Sequence, residues 1–541
     1  DGGTVKLDGN YPVGSNNVAL GDTALDSVEA GGEQNVAIGG AALSADTTGD
    51  HNTGVGFRSI CTNTTGSCNT AVGNQSLRNN TSASDNTAIG MNALIFNTTG
   101  TTNTAVGSLS MDANTTGSTN TALGLHSLGG NTTASSNTAV GASALKANTT
   151  ASSNVAVGAS SLTANTTGVN NVAVGCGALL DNLTGNNNTA VGKSALANTL
   201  EDSNTAIGAS TLEANTAGEY NTALGEYALR CNTTADNNTA VGRAALENNV
   251  TGSKNTAVGS TALEENTGSC NTAVGYNALL LNTTGGCNTG LGTSALRGNT
   301  EGTHNVAVGT CALYANTTGI RNTIIGSCTM KVSTTASNNS ALGYCVLKSN
   351  TTGTLNTAVG SSALQDNTEG DNNSAFGVAA LANNTTAGNN TAVGFCSLFT
   401  NTTGHSNVAV GCGSLVANTT GFRNVGVGLG SLASNTEGDY NVGVGKDAGE
   451  ATTTGEYNTF LGSFAGFKNT TASNNTAVGG LSLLDNLTGT GNIAIGLSAL
   501  ENNTTADFNT AVGRQAMFTN TTGTRNSVLG LNAMYTNTTG G

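Results

Sequence analysis

The chain has no tryptophan, one proline (Pro12), 4% aromatic residues and 9% charged residues. With so few large side chains it cannot fill the wide core of an ordinary globular domain. It also lacks the run of roughly 20 apolar residues that a membrane-spanning helix needs, and no basic segment precedes an apolar stretch at its start. We therefore expect neither a membrane span nor a signal peptide. Because the chain starts at Asp1 and stops within a repeat, we expect a processed or excised piece.

Positive charge is scarce as well. Lys and Arg together number 17, against 32 acidic residues, and the formal net charge is −15. The basic residues are scattered singly, whereas a nucleic-acid-binding surface needs a basic patch or stripe to contact the phosphates. The sequence therefore predicts no nucleic-acid partner.

What the chain has in abundance is a repeat of about 17 residues. One unit, 137–153, reads NTAVGASALKANTTASS, and the consensus is N-[TV]-A-[VIL]-G-x-x-[AS]-L-x-x-N-T-T-[GA]-x-x. Below, positions 1 to 17 follow this unit, with Asn137 at position 1. Roughly thirty copies run from Asn17 onward, with one-residue length slips in the polar half, where a loop absorbs them. The slips fall at 17–34 (longer), 188–203 (shorter) and 255–270 (shorter).

The first five positions of the repeat alternate in the manner of a β-strand. Thr138 and Val140 would then lie on one face and Ala139 on the other. Gly141 would end the strand, because glycine adopts a positive φ at little cost. Leu145 belongs to a second short apolar element before the Asn-Thr-Thr turn.

One such unit is too short to bury a core alone, so neighbouring units must stack. We predict an all-β fold, a parallel β-solenoid of about thirty 17-residue coils. The Val140, Leu145 and Ala positions would form internal columns, and the Asn residues at positions 1 and 12 would form ladders of amide hydrogen bonds. Asn137, Val140, Gly141 and Leu145 are the predicted structural ladder. Residues 17–541 would be the array and 1–16 a candidate N-terminal cap.

The N-[TV]-A-[VI]-G core followed by x-x-A resembles the head repeats of trimeric autotransporter adhesins, and the longer form ending in NTTG resembles repeats of tail-fibre-like surface proteins. The resemblance covers nearly the whole chain. It implies a left-handed parallel β-roll, association into a homotrimeric fibre and binding to a surface. The small residues at Ala139 and Gly141 either face a partner subunit or are all that a narrow interior admits, and both interpretations stay open here.

The eleven cysteines fall at variable positions of the repeat, which we expect to point outward. Several occupy equal or adjacent positions in neighbouring coils, where a Cα spacing of about 4.8 Å lies in the range of a disulfide. Bridges that staple coils would fit an oxidising extracellular compartment; free thiols are the alternative. The candidate residues are Cys270, Cys287, Cys311, Cys328, Cys345, Cys396 and Cys412.

The Asn-Thr-Thr segments match the acceptor sequence for N-glycosylation. The signal is weak in a chain so rich in Asn and Thr, and glycans stacked every 4.8 Å or so would collide. Partial glycosylation is a hypothesis for Asn97, Asn114, Asn131, Asn148 and Asn165.

No constellation for catalysis or metal binding is present in the sequence. The four histidines, His51, His126, His304 and His405, are far apart, and a near-uniform array offers few unique surroundings for an active site. We expect no enzyme activity and no cofactor. The leading hypothesis is a structural or adhesive fibre on the outside of a cell or virion, with self-association and a cell-surface or glycan receptor as partners. The alternatives are a self-polymerising filament subunit and an ice-binding solenoid.

Overall fold

The computed structural model describes residues 14–540, and these residues contain strands and turns but no helix. They form two compact units, Asp1–Cys270 and Asn271–Gly541. Parallel strands of three residues recur through both units, one strand per coil. The predicted all-β parallel solenoid is confirmed. The candidate cap at 1–16 lies, up to residue 13, outside the described residues.

The first unit contains fifteen of the strands, which all pair in parallel with their neighbours in sequence. They are β1 (Val18–Leu20), β2 (Val36–Ile38), β3 (Thr53–Val55), β4 (Thr70–Val72), β5 (Thr87–Ile89), β6 (Thr104–Val106), β7 (Thr121–Leu123), β8 (Thr138–Val140), β9 (Val155–Val157), β10 (Val172–Val174), β11 (Thr189–Val191), β12 (Thr205–Ile207), β13 (Thr222–Leu224), β14 (Thr239–Val241) and β15 (Thr256–Val258).

The second unit contains the remaining sixteen strands, with the same parallel pairing. They are β16 (Thr272–Val274), β17 (Thr289–Leu291), β18 (Val306–Val308), β19 (Thr323–Ile325), β20 (Ser340–Leu342), β21 (Thr357–Val359), β22 (Ser374–Phe376), β23 (Thr391–Val393), β24 (Val408–Val410), β25 (Val425–Val427), β26 (Val442–Val444), β27 (Thr459–Leu461), β28 (Thr476–Val478), β29 (Ile493–Ile495), β30 (Thr510–Val512) and β31 (Ser527–Leu529).

Successive strands are in register, so that equal positions of the repeat lie above one another. Ala139 of β8 is opposite Ala156 of β9, for example. The register survives the length slips, because Val18 pairs with Val36 across the long coil and Thr189 with Thr205 across a short one. The extra or missing residue is therefore absorbed outside the strand, as the sequence predicts.

Backbone hydrogen bonds join neighbouring coils well beyond the strands. Thr138 N–H donates to Asn154 O at 2.8 Å, and Leu145 N–H donates to Ser161 O at 3.0 Å. Ser143 N–H donates in the opposite direction, to Leu125 O at 2.9 Å. Because turns as well as strands are bonded from coil to coil, the whole circumference of a coil is tied to its neighbours.

The interior of each coil is narrow and is filled by small residues and leucine. Ala139, Ala144 and Leu145 are all completely buried. Val140, in contrast, is only half-buried and lies with Thr138 on the outer face of the strand. The prediction that Val140 forms an internal column was therefore wrong. The alternation was correct, and the Ala positions do line the interior as predicted, where Leu145 and the asparagine columns leave little space beside them.

The small residues of both columns are explained by contacts within the stack. Ala139 has no exposed surface, and a Cβ added to Gly141 would lie 2.5 Å from the carbonyl oxygen of Gly158 in the next coil. The interpretation in which a partner subunit contacts this small-residue column was wrong for Ala139, which is completely buried. Ala139 fits the interior, and Gly141 is required by the close approach of backbones and by its φ of 136°.

The second apolar element is a turn rather than a strand. Ser143 and Leu145 have φ values of 58° and 50°, and Ser153 at the end of the coil has 63°. Three non-glycine residues per coil thus adopt the left-handed region, which costs roughly 1–3 kcal/mol each and persists only where surrounding structure enforces it. Burial of Leu145 and the bonds between coils supply that enforcement.

Candidate functional site: the outer face of the strands

The first and third residues of every strand point away from the interior. We call these residues, at repeat positions 2 and 4, the outer strand face. Position 4 is Val, Leu, Ile or Phe in every strand of both units, and position 2 is Thr, Val, Ser or Ile. Many of these aliphatic side chains are substantially exposed, such as Leu123 at 45% and Leu342 at 48%. Each unit therefore carries an uncharged, largely apolar stripe along its stacked strands.

Exposure alone does not explain the constancy of position 4. Position 6, also exposed, holds Lys193, Glu226 and Arg243 in three of four successive coils of the first unit. Position 10 holds Lys146 in one coil and Glu213 in another. The chain thus accepts charge at other outward positions and excludes it from the outer strand face.

Strand propensity does not explain the composition either. Thr is a good strand residue and dominates position 2, yet it never occurs at position 4. Leu is not β-branched, yet it occupies position 4 in strands such as β7 and β20. The shared property is apolar character on an exposed face, which is typical of an interaction surface.

Asparagine ladders hold the coils from inside. At position 12, Asn148 Nδ2 donates to Asn131 Oδ1 at 3.1 Å and to Ala151 O at 2.9 Å. At position 1, Asn137 N–H donates to Asn120 Oδ1 at 2.9 Å, and Asn137 Nδ2 donates to Ala151 O at 3.0 Å. These amides are buried. Because each bonds to the coil before it and to its own turn, they set the register of the stack.

The candidate glycosylation residues belong to this buried column. Each has no exposed surface, and its Nδ2, the atom that a glycan would occupy, donates two hydrogen bonds, as for Asn114 to Asn97 Oδ1 at 2.8 Å and to Gly117 O at 3.0 Å. A glycan there is incompatible with this fold. The hypothesis of glycosylation was therefore wrong for Asn97, Asn114, Asn131, Asn148 and Asn165.

All eleven cysteines lie within the described residues, and none of them is joined to another by a disulfide there. Cys311, Cys328 and Cys345 occupy position 7 of three successive coils with the same φ of 54°. Cys345 is buried rather than outward. Disulfide stapling of this column stays a prediction.

Two other cysteine pairs differ in their placement. Burial, and then the charge of Cys412, raise the pKa of the Cys396 thiol. Cys270 and Cys287 belong to different compact units. Stapling at these four residues also stays a prediction.

A strip of aromatic rings crosses four successive coils of the second unit. His405 stacks on Phe422 at 5.1 Å between centroids, Phe422 contacts Tyr440 edge to face at 5.4 Å, and Tyr440 stacks on Tyr457 at 4.8 Å. The Arg423 guanidinium lies 5.3 Å from the centre of the Tyr440 ring. The spacing of these residues in the sequence, 17 or 18 residues from one to the next, was the signal that could have found them. Because the rings cover each other's faces, the strip stabilises the stack.

The described residues contain no group of three or more His, Cys, Asp or Glu side chains placed to hold a metal ion. Within 14–540 no helix has the length and apolar composition needed to cross a membrane. A scan against protein-family models finds none that matches the chain, and a search of curated proteins finds no match either. The resemblance to adhesin heads therefore remains an expectation drawn from the repeat residues.

Proposed function

We propose that this protein is a structural and adhesive fibre protein of an extracellular, cell or virion surface, which acts by self-association and by many weak contacts along its flank. The observation that carries the proposal is the outer strand face, uncharged in every strand and apolar at position 4. A soluble chain with net charge −15 would tolerate charge there unless the face were covered.

A second copy of the chain is the partner that suits this face. Equivalent side chains recur along the stack at the strand spacing of about 4.8 Å. A partner must share that period to contact every coil, and another copy does so automatically. Each contact buries little apolar surface, but contacts on one rigid stack act together, so that weak contacts add to a stable association. A homotrimer and an open filament both use this principle.

Substitutions on the outer strand face test the proposal. In one variant Val140, Val157 and Val174 are each replaced by Lys; in the matched control the exposed position-6 residues Ala142, Ala159 and Ala209 are replaced by Lys. Both variants have the same net charge, and the replaced atoms in both lie outside the core. We expect sedimentation velocity to show loss of the associated species only for the valine variant.

The proposal would be contradicted if both variants associated as strongly as the unmodified chain does. Equal loss in both would show that charge rather than the outer strand face controls association. Circular dichroism and limited proteolysis of each variant establish that the coils are intact before the comparison is made.

One observation favours ice binding as a second candidate. Position 2 is Thr in the six consecutive strands β3 to β8, on the flat outer side of a parallel ladder. The Asn-Thr-Thr pair is less suited, because Thr149 Oγ1 donates to Thr166 O at 3.3 Å and is therefore occupied. Ice binding would be supported if the purified chain showed thermal hysteresis and a variant with Thr104, Thr121 and Thr138 replaced by Lys did not. The absence of hysteresis in the unmodified chain would exclude it.

A further inference from the structure

The buried column at position 12 contains one ionisable residue, Asp46. It occupies the place that Asn63, Asn80 and Asn97 hold in the next three coils, and it has no exposed surface. In the preceding coil, Val28 occupies this position. The assignment follows from the backbone hydrogen bond between the next residues, in which Glu29 N–H donates to Thr47 O and both residues are at position 13. The asparagine ladder of the first unit therefore ends at a carboxyl group next to an apolar side chain.

Asp46 lacks both bonds that an asparagine Nδ2 donates in this ladder: Val28 of the preceding coil offers no side-chain acceptor, and the bond to its own turn is missing. Asn63 Nδ2 donates to Asp46 Oδ1 at 2.7 Å and to Gly66 O at 2.8 Å. Asp46 Oδ2, at the place of an asparagine amide nitrogen, is buried and has no hydrogen-bond partner. Gly49 O accepts from Asn35 Nδ2 at 2.8 Å but cannot accept from an ionised Asp46, which has no hydrogen to donate.

A proton on Oδ2 restores the missing bond. The neutral acid carries an O–H group, which is able to donate to Gly49 O as Asn63 Nδ2 donates to Gly66 O. Without the proton, Oδ2 is a buried anionic oxygen beside Val28. The desolvation of this carboxylate and the loss of its hydrogen bond to Gly49 O both destabilise the closed coil.

The charges around Asp46 also favour the neutral form. Asp50 lies in the same coil, and Glu29 and Glu33 lie in the preceding coil, with Glu33 N–H bonded to Asp50 Oδ1 at 2.7 Å. The other titratable groups on these coils and the next are Asp22, Asp26, His51, Arg58, Cys61 and Cys68. Burial first, and the charge of Asp50 in addition, raise the pKa of Asp46 from 3.8 to about 7, against the lowering effects of the bonds from Asn63 and Gly49.

We infer that Asp46 is a proton-dependent closure of the asparagine ladder: when protonated it bonds to Gly49 and holds residues 18–51 closed, and when ionised it lets these coils open locally. The neutral form is favoured in the folded state, so the stability that this group contributes to these coils is greatest at acidic pH. It falls as the pH rises from about 4 to about 7 and is constant above that. The rest of the first unit, with neutral Asn or Thr in this column, does not share the dependence.

Hydrogen exchange of the full chain, read by mass spectrometry and corrected for the intrinsic effect of pH, tests the inference. The opening equilibrium of residues 18–51 should increase with pH between about 4 and 7, by at most about tenfold per pH unit because one proton is linked. Residues 120–171 should show no such change. In Asp46→Asn, and in Asp46→Thr, which copies Thr199 at the same column position, the dependence should vanish.

The matched control is Asp85→Asn, which removes an exposed carboxylate two coils away. It should retain the dependence of the unmodified chain. The inference is overturned if residues 18–51 of the unmodified chain open equally at all pH values. It is equally overturned if both Asp46 variants keep the pH dependence.

Discussion

At the scale of single residues, Gly141 shows why each coil needs glycine at position 5. Its φ of 136° lies in a region almost confined to glycine, and a side chain there would overlap the backbone of the next coil. We predict that Gly141→Ala destabilises the coils around it by more than about 2 kcal/mol, from strain and overlap together. Local hydrogen exchange of residues 121–161 measures the effect.

Gly413 provides the control for this prediction. It has a φ of 61° at position 7, and a Cβ added there would meet no atom within 4 Å. Ser143 adopts the same conformation at the equivalent position. Gly413→Ser should therefore cost only the strain of the left-handed conformation, about 1 kcal/mol, and less than Gly141→Ala, which adds overlap. Equal effects of the two substitutions would refute this account of Gly141.

The buried amide of Asn148 leads to a second prediction. Asn148→Ala removes the donor to Asn131 Oδ1 and Ala151 O, and it leaves Asn165 Nδ2 without its acceptor at 3.0 Å. Unsatisfied buried groups cost about 1–3 kcal/mol each, so we expect strong local opening of the coils on both sides. Exposed Lys146→Ala in the same coil should be nearly neutral, and hydrogen exchange distinguishes the two.

The pattern of residues in the repeat predicts the course of the backbone better than it predicts which side chains point inward. The strand, its ending at Gly141 and the amide ladders could all be predicted from the repeat. The inward face of the strand could not, because Val140 and Ala139 alternate equally well in either orientation. The size of the interior decides the choice, and that size depends on how Leu145 and two asparagine columns pack. In some other strands glycine occupies the position of Ala139, as Gly54 and Gly426 do. These glycines were the available signal that this position is sterically confined.

At the scale of the coil, Phe460 shows how packing varies while the fold is retained. It is completely buried at position 3, where most other strands have Ala or Gly and the larger exceptions are Ile324 and Val528. The leucine of position 9 is replaced by Gly449 in the preceding coil and by Gly466 in its own. A Cβ at Gly449 would lie 2.5 Å from the Phe460 ring, and one at Gly466 would overlap it. One ring thus fills the space of two leucines.

This exchange predicts a strong coupling between the three residues. Phe460→Ala alone should destabilise the second unit locally by about 3–5 kcal/mol, because it leaves a cavity. Gly449→Leu alone should also destabilise, through overlap with the ring. The triple change Phe460→Ala, Gly449→Leu and Gly466→Leu restores the consensus of the other coils and should recover most of the loss. Thermal melts of the three variants test the coupling, and a triple variant no more stable than Phe460→Ala would contradict it.

At the scale of the whole molecule, each unit is a stack in which a coil contacts its neighbours, so stability is a sum of short-range terms. The sequence period was sufficient to predict this architecture, because a unit of 17 residues cannot bury a core except by stacking. The period says nothing about what covers the outer strand face, since that depends on a partner outside the chain.

The charge of the chain predicts that the proposed self-association depends on salt. The outer strand face is uncharged, whereas the chain as a whole carries −15, so under the proposal long-range repulsion between copies would oppose attraction at the face. Salt screens the repulsion over a Debye length of about 10 Å at 0.1 M. We expect association to strengthen when salt is raised from about 0.02 to 0.5 M.

The most direct test of the account is the mass of the native particle by light scattering, measured over protein concentration at low and high salt. Association through the outer strand face predicts a mass that is a multiple of the 53.1 kDa chain, three-fold for a homotrimer and larger for a filament, and that increases or persists in salt. A particle of 53.1 kDa at every concentration and salt would contradict self-association. It would leave the outer strand face to a different partner.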